Sequence, residues 1–569
     1  MSAVAARRGS PRALLRELAG LRLAFGAEPS SRKRDLLARL DRATLSTSRE
    51  LLELHELLLF WRAYPDDAEL LAAVEGSLAR FGRRRDLRRH RSDLADSGVA
   101  GCDIAYPFFF HTAVRLAERF PQRLRVDWPA WEKKDELESL LHLLLPYAET
   151  PWVDEVGYAP RDWLAQLKGP QEGDGAFLAR RFAAVAADSF VRETIYERLS
   201  PALVLRGDAS TPSRTHAKAP VARVAFQRYP LDSERPDLAR FVPAARVRVR
   251  DLPPRDGARY VEMARDAMVT RGRDLDAFAH GDARDVRLVE CADGLAFAVI
   301  GQVPERRLLL ESVYGALTLK NGVPIGYVLL SSLFASTEIA YNVFDTYRGA
   351  QAATVFAWVV AAAHAVFGAT TYSIDPYQLG SFGNNEGLRS GAWWFYYKLG
   401  FRPRDAGVKR VLRGELAAMK RDPRHRSSRA TLERLASEHL FFELGDERGV
   451  ALGALSPGSV GRCVASRFAA GFGADRERGV AEAVRQARGL LGVRSFAGWT
   501  ADERLWWQRW SPLVVAIPGL DRWSDTERHA VAAVVRAKGG RREAEYVRRF
   551  DAHPKLRRAL LAMATLEAE

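Results

Sequence analysis

Two apolar runs, Gly315 to Lys320 and Val323 to Leu330, are separated only by Asn321-Gly322, and this commits the middle of the chain to a β-hairpin. An Asn-Gly pair accepts the positive φ angles of a two-residue turn whose twist matches that of paired strands. Alternation at Arg246–Arg250 and again at Leu295–Ile300 supplies strands ahead of the hairpin, and Glu338 to Phe344 supplies one after it. The period then changes. An Ala-rich helix is predicted from about Gly349 to Phe367, followed by a short strand from Thr370 to Asp375, a Gly/Asn loop, a helix from about Glu386 to Leu399, and Gly400-Phe401. Antiparallel strands that pass into β-α-β-α units predict a mixed α/β sheet domain over residues 241–412.

The flanks read differently. Residues 1–204 carry helical, Leu-rich stretches such as Leu51 to Phe60, with Asp66 and Asp67 as a helix start signal, and the aromatic cluster Phe108 to Phe110. Residues 205–240, punctuated by Gly207, Pro212, Pro220, Pro230 and Pro236, form a linker. Residues 413–569 return to a helical pattern with Trp499, Trp506, Trp507, Trp510 and Trp523 packing a second layer. The expected fold class is α/β (α+β), a central mixed sheet with helices between two mainly α-helical regions. The 569 residues agree with about three domains at ~100–200 residues each.

Composition narrows the function. A chain that is 47% hydrophobic and 28% charged is neither disordered, nor collagen-like, nor a disulfide scaffold. The net charge of +15 is spread along the chain, with one dense run from Arg83 to Arg91. That run lacks interleaved aromatics, so it reads as a solvated basic face and nucleic acid is not the expected partner. Cys102, Cys291 and Cys463 are far apart and form no ligand or disulfide pattern, which points to a reducing compartment. The most apolar stretch, Val355 to Phe367, is shorter than the ~20 residues a membrane span needs, and Met1 to Arg12 is not followed by an apolar segment. A cytoplasmic protein without signal peptide or membrane contact is expected.

The junction that carries chemistry is the strand 338–344 followed by Asp345-Thr346-Tyr347-Arg348-Gly349-Ala350-Gln351-Ala352-Ala353 and a helix. A loop feeding a helix N-terminus offers unpaired amides and the positive end of the helix dipole to a pyrophosphate, and small residues let it come close. Some 30 residues on stands Asn384, then a helix ending Tyr396-Tyr397-Lys398-Leu399-Gly400-Phe401.

Over about residues 240–412, these two motifs and the element order resemble the GCN5-related N-acetyltransferase (GNAT) superfamily. Its phosphate loop has the form Arg-Gly-x-Gly-x-Gly/Ala, matched by Arg348 to Ala353 with Gln351 at the central glycine position. The resemblance implies acetyl-CoA or another acyl-CoA as co-substrate, bound by the loop residues Arg348, Gly349, Ala350, Gln351, Ala352 and Ala353. It also implies that backbone groups of Tyr341, Asn342 and Val343 pair with the pantetheine arm like an added strand. Tyr396 takes the family position of the acid that protonates the leaving thiolate, while Tyr397 points elsewhere. The base that deprotonates the attacking amine would be Glu338 or Asp375, directly or through water. Each has a plainer reading: Tyr396 as a core aromatic, Glu338 as a solvated strand end, Asp375 as a cap before Pro376. Asn384 either contacts the pantetheine or caps its helix.

The chain has no Ser-His-Asp spacing, no Walker loop and no HExxH, so metal and nucleotide hydrolysis have no motif. His111, His142 and His364 sit among apolar residues and read as packing or boundary histidines. The expected function is therefore an N-acyltransferase acting on an amine. The alternative is a catalytically inactive GNAT-like scaffold or acyl-CoA-sensing module, favoured by Gln351. Neither helical flank carries a motif that specifies the acceptor.

Overall fold

A computed structural model of the chain describes residues 10–231, 234–349, 351–445, 452 and 457–565. The protein is mixed α/β, 54% helical, with one large mixed sheet. It divides into two units: Met1–Leu231 with Arg259–His280 and Lys320–Ile325, and Asp232–Ala258 with Gly281–Leu319 and Gly326–Glu569.

In the first unit, side chains fix where helices start. Ser10, Thr47 and Asp67 accept hydrogen bonds from the amides of Ala13, Glu50 and Leu70 and so cap the helices Pro11–Gly20, Ser48–Ala63 and Ala68–Phe81. Helix Ser48–Ala63 is buried all round from Leu57 to Ala63, with Leu51, Leu58, Phe60 and Trp61 inaccessible. A buried ion pair joins Lys33 to Asp66 at 2.7 Å. Within the basic run, Arg84 turns inward to Asp86 and the Ala43 carbonyl.

The region expected to be wholly helical also contains a small antiparallel sheet. Its strands are β1 (Ile104–Tyr106), β2 (Leu124–Val126) and β3 (Leu203–Leu205), in the order β1-β3-β2. Three residues are too few for a period of two to register. Phe110, Leu116, Trp131, Trp163, Phe182 and Tyr196 pack around it.

The large sheet is built from β4 (Arg248–Asp251), β5 (Gly281–Glu290), β6 (Leu295–Gln302), β7 (Ser312–Lys320), β8 (Val323–Leu333), β9 (Ser336–Val343), β10 (Thr371–Ile374), β11 (Arg402–Pro403) and β12 (Leu440–Glu443). Their order is β11-β12-β10-β9-β8-β7-β6-β5-β4. The predicted hairpin is β7–β8, with positive φ at both Asn321 and Gly322. A Cβ at Gly322 would collide with the carbonyl of Ala219, and the Asn321 amide donates to the carbonyls of Ala63 and Ala225, all within the first unit.

Two corrections concern the second unit. β12 lies in the stretch beyond Arg413 that was expected to be all helix. Its Leu440, Phe441 and Phe442 are buried as the antiparallel partner of β10, a demand set by the sheet and invisible locally. The single helix expected over 386–399 is two, Asn385–Ser390 and Ala392–Lys398, broken at Gly391, whose φ is +67°. From Pro457 the chain is helical as expected, and Trp506, Trp507 and Trp510 are buried. Among the described residues, no helix is long and apolar enough to cross a membrane.

Candidate functional site

The site is set by how far β10 runs beside β9. These strands are parallel, and their pairing covers only Ser336 to Glu338 against Thr371 to Ser373. β10 ends at Ile374, while β9 continues to Val343, with its other edge paired to β8 throughout. Among the described residues, no strand pairs with the β10 side of β9 past Glu338. Tyr341, Asn342 and Val343 lie in that stretch of β9. The Asn342 side-chain carbonyl is buried without a hydrogen-bond partner, and the Val343 carbonyl accepts from Arg348 Nε at 3.3 Å.

Alternation along a strand sends Glu338 to one face and Tyr341 to the other. On the Glu338 face, the register Ser373↔Glu338 and Ile374↔Leu440 brings Asp375, just past β10, and His439, just before β12, beside Glu338. His439 Nε2 lies 3.2 Å from Glu338 Oε2 and 3.5 Å from Asp375 Oδ2. The three side chains keep 18%, 29% and 40% exposure for His439, Glu338 and Asp375, so the imidazole is held by its neighbours yet reachable by a substrate. Asp375 is also a cap, as its plainer reading expected: Oδ1 accepts from the Tyr377 amide at 2.7 Å. An imidazole between two carboxylates can accept and pass on a proton, and the three ligand atoms are close enough to share a metal ion.

On the opposite face, Tyr341 packs edge-on against Phe356 of helix Ala352–Phe367, and Phe356 packs against Tyr396 and Phe401. Tyr396 is 4% exposed, burial raises its phenol above the ordinary value, and its hydroxyl has no hydrogen-bond partner among the described residues. In this setting the phenol keeps its proton. Tyr397 turns away, as expected, stacking on Trp393 under the Arg402 guanidinium.

The loop between β9 and the helix carries its strain openly. Gly349 has φ of +82° and Gln351 φ of +52° and ψ of +29°, a left-handed conformation. Ala350 lies outside the described residues. The first bond of the helix runs from the Val355 amide to the Gln351 carbonyl at 2.9 Å, and no side chain caps this end. The amides of Ala352 and Ala353 stand in that first turn, at the positive end of the dipole. Arg348 pairs with Glu386 and with Asp345. Asn384 is spent within the fold: it caps its helix through the Gly387 amide at 3.0 Å and donates to the Tyr377 carbonyl at 2.7 Å.

His439 is the residue sequence reasoning missed. It stands about 100 residues from Glu338 in a stretch read as helix, and only the β10–β12 register could have pointed to it. No protein-family model, curated protein or solved structure matches the chain.

Proposed function

We propose that the second unit is an acyl-CoA-dependent N-acyltransferase domain, moving an acetyl or other acyl group to an amine. The observation that carries this reading is the side of β9 past Glu338 that no described strand covers, flanked by the Glu338–His439–Asp375 group on one face of the sheet and a buried phenol on the other. A thioester seated along that side would be attacked from the Glu338 face and would release its thiolate toward the Tyr396 face. The residues present fit such a co-substrate: a strand edge that no described strand covers past Glu338, the buried Asn342 side-chain carbonyl without a hydrogen-bond partner, and a helix start that no side chain caps, preceded by small residues.

In this mechanism the Glu338–His439–Asp375 group takes the proton of the attacking amine as the carbon–nitrogen bond forms. Tyr396 donates its phenolic proton to the sulfur as the carbon–sulfur bond breaks. The resemblance to the GNAT superfamily supports the same assignment. A second reading, an acyl-CoA sensor without turnover, draws on Gln351, which stands at the central glycine position of the family's phosphate loop.

Acetyl-CoA at millimolar concentration is expected to raise the unfolding temperature of the protein, since a ligand bound only by the folded state stabilises it. With an amine panel and thiol release as the assay, Tyr396→Phe should lower turnover about 10²-fold while leaving acyl-CoA affinity nearly unchanged. No thermal shift with acetyl-CoA, CoA or longer acyl chains would remove both readings. Binding without turnover on any amine would favour the sensor.

A further inference from the structure

In the first unit a second cluster has no place in the proposed transfer reaction. His111 lies in the first turn of helix Phe110–Arg119, Glu193 in the middle of helix Ser189–Leu199, and His280 directly after helix Asp276–Ala279. Three elements far apart in sequence converge on one carboxylate. His111 Nε2 is 3.5 Å from one Glu193 oxygen and His280 Nε2 is 3.7 Å from the other, and the two imidazoles meet edge to face with centroids 4.4 Å apart.

These separations are informative. They exceed the 2.7–3.2 Å range of a good N–H···O bond, but two ligands each about 2.0–2.1 Å from a tetrahedral ion lie about 3.4 Å apart. The three ligand atoms all lie within 4.8 Å of one another, so one ion can reach them all with small side-chain adjustments. Exposure falls from 31% at His111 to 15% at Glu193 and 8% at His280. The cluster therefore has a dry inner end and one side open to solvent.

We propose that His111, Glu193 and His280 bind one divalent ion of the Zn²⁺ class. Two imidazole nitrogens with one carboxylate favour a borderline transition ion over Mg²⁺ or Ca²⁺, which take oxygen ligands. Three protein ligands leave a coordination position free, the arrangement of a site that holds a water or substrate atom, in contrast to the four-ligand closure of a purely structural site. The site stands apart from the acyltransfer reading: its residues belong to the first unit, and it survives or fails without regard to acyl-CoA.

The test uses the full-length protein, stripped with a chelator and titrated with Zn²⁺ alone, with Co²⁺ as a spectroscopic probe. The expected result is one tight equivalent per chain, a raised unfolding temperature, and the visible absorption of four-coordinate Co²⁺. Glu193→Gln and His280→Asn should each weaken uptake at least about 100-fold, with an unchanged circular-dichroism spectrum showing that the variants still fold. His439→Gln, at the other candidate cluster, should retain the equivalent. No tight equivalent in the wild-type protein, undiminished uptake in folded Glu193→Gln and His280→Asn, or loss of uptake in His439→Gln would each overturn the proposal.

Discussion

Gln351→Gly tests the candidate phosphate loop at its most unusual residue. Gln351 sits at φ +52° and ψ +29°, immediately ahead of helix Ala352–Phe367, and its side chain has no hydrogen-bond partner among the described residues. A left-handed conformation costs an L-residue about 1–2 kcal/mol, whereas glycine adopts it without steric penalty. Glycine also makes the unfolded chain more flexible, which returns roughly 0.5–1 kcal/mol. The net expectation is a gain of about 0.5–1 kcal/mol, a rise of roughly 1–3 °C in the unfolding temperature of a unit this size. Gly349→Ala should do the reverse by about 1 kcal/mol: its φ is +82°, and an added Cβ would meet no atom within 4 Å, so the cost is backbone alone. Thermal and urea unfolding of both variants is the assay. A loss of more than about 1 kcal/mol in Gln351→Gly would refute the reasoning, since the side chain would then be contributing contacts that outweigh the strain. Titration with acetyl-CoA adds a functional arm. Gln351→Gly should bind equally or more tightly, and binding that appears only in the variant would make the non-catalytic reading the better one.

Two further predictions rest on buried charge. Lys538 and Glu543 form a fully buried pair at 2.5 Å with Arg307 3.7 Å from the same carboxylate, so Glu543→Leu, which takes the shared carboxylate from two buried cations, should cost about 3–5 kcal/mol in urea unfolding; a variant as stable as wild type would count against it. In the first unit, burial pushes the Asp274 carboxyl up from 3.8 to about 6, against hydrogen bonds donated by Thr112 and the Phe109 amide. A raised acid favours folding below the unfolded-state pKa, so its roughly 2–3 kcal/mol is present below pH ~4 and lost as pH rises through about 6. Stability measured from pH 4 to 7 should show that slope in wild type and a flatter one in Asp274→Asn; identical slopes would exclude Asp274 as its source.

The hairpin at Asn321-Gly322 and the strand–loop–helix at 338–367 were legible because each is specified within about 30 residues, by turn chemistry and by a change of period. Strands without a local pattern were not. Neither the three-residue strands β1 to β3 nor β12 carries a pattern of its own, and each exists because a neighbouring edge needs its hydrogen bonds. The break at Gly391 was likewise hidden, since Trp393 to Tyr397 continue a helical face on its far side and only the positive φ separates the two helices.

The candidate base group follows the same division. Glu338 and Asp375 entered the reading as alternatives because nothing local ranks one carboxylate over the other. The parallel register Ser373↔Glu338 makes them neighbours, and the antiparallel register Ile374↔Leu440 adds His439 between them. Each residue's place depends on parity: moving β10 by one residue along β9 would send Asp375 to the Tyr341 face and leave Glu338 without its imidazole link. The bulky residues on that opposite face, Tyr372 and Ile374 in β10 and Leu440 and Phe442 in β12, are buried and resist such a slip. The apolar side of these two strands thus fixes the polar side, and the packing that gives Tyr396 its buried setting also holds Glu338, Asp375 and His439 in one group.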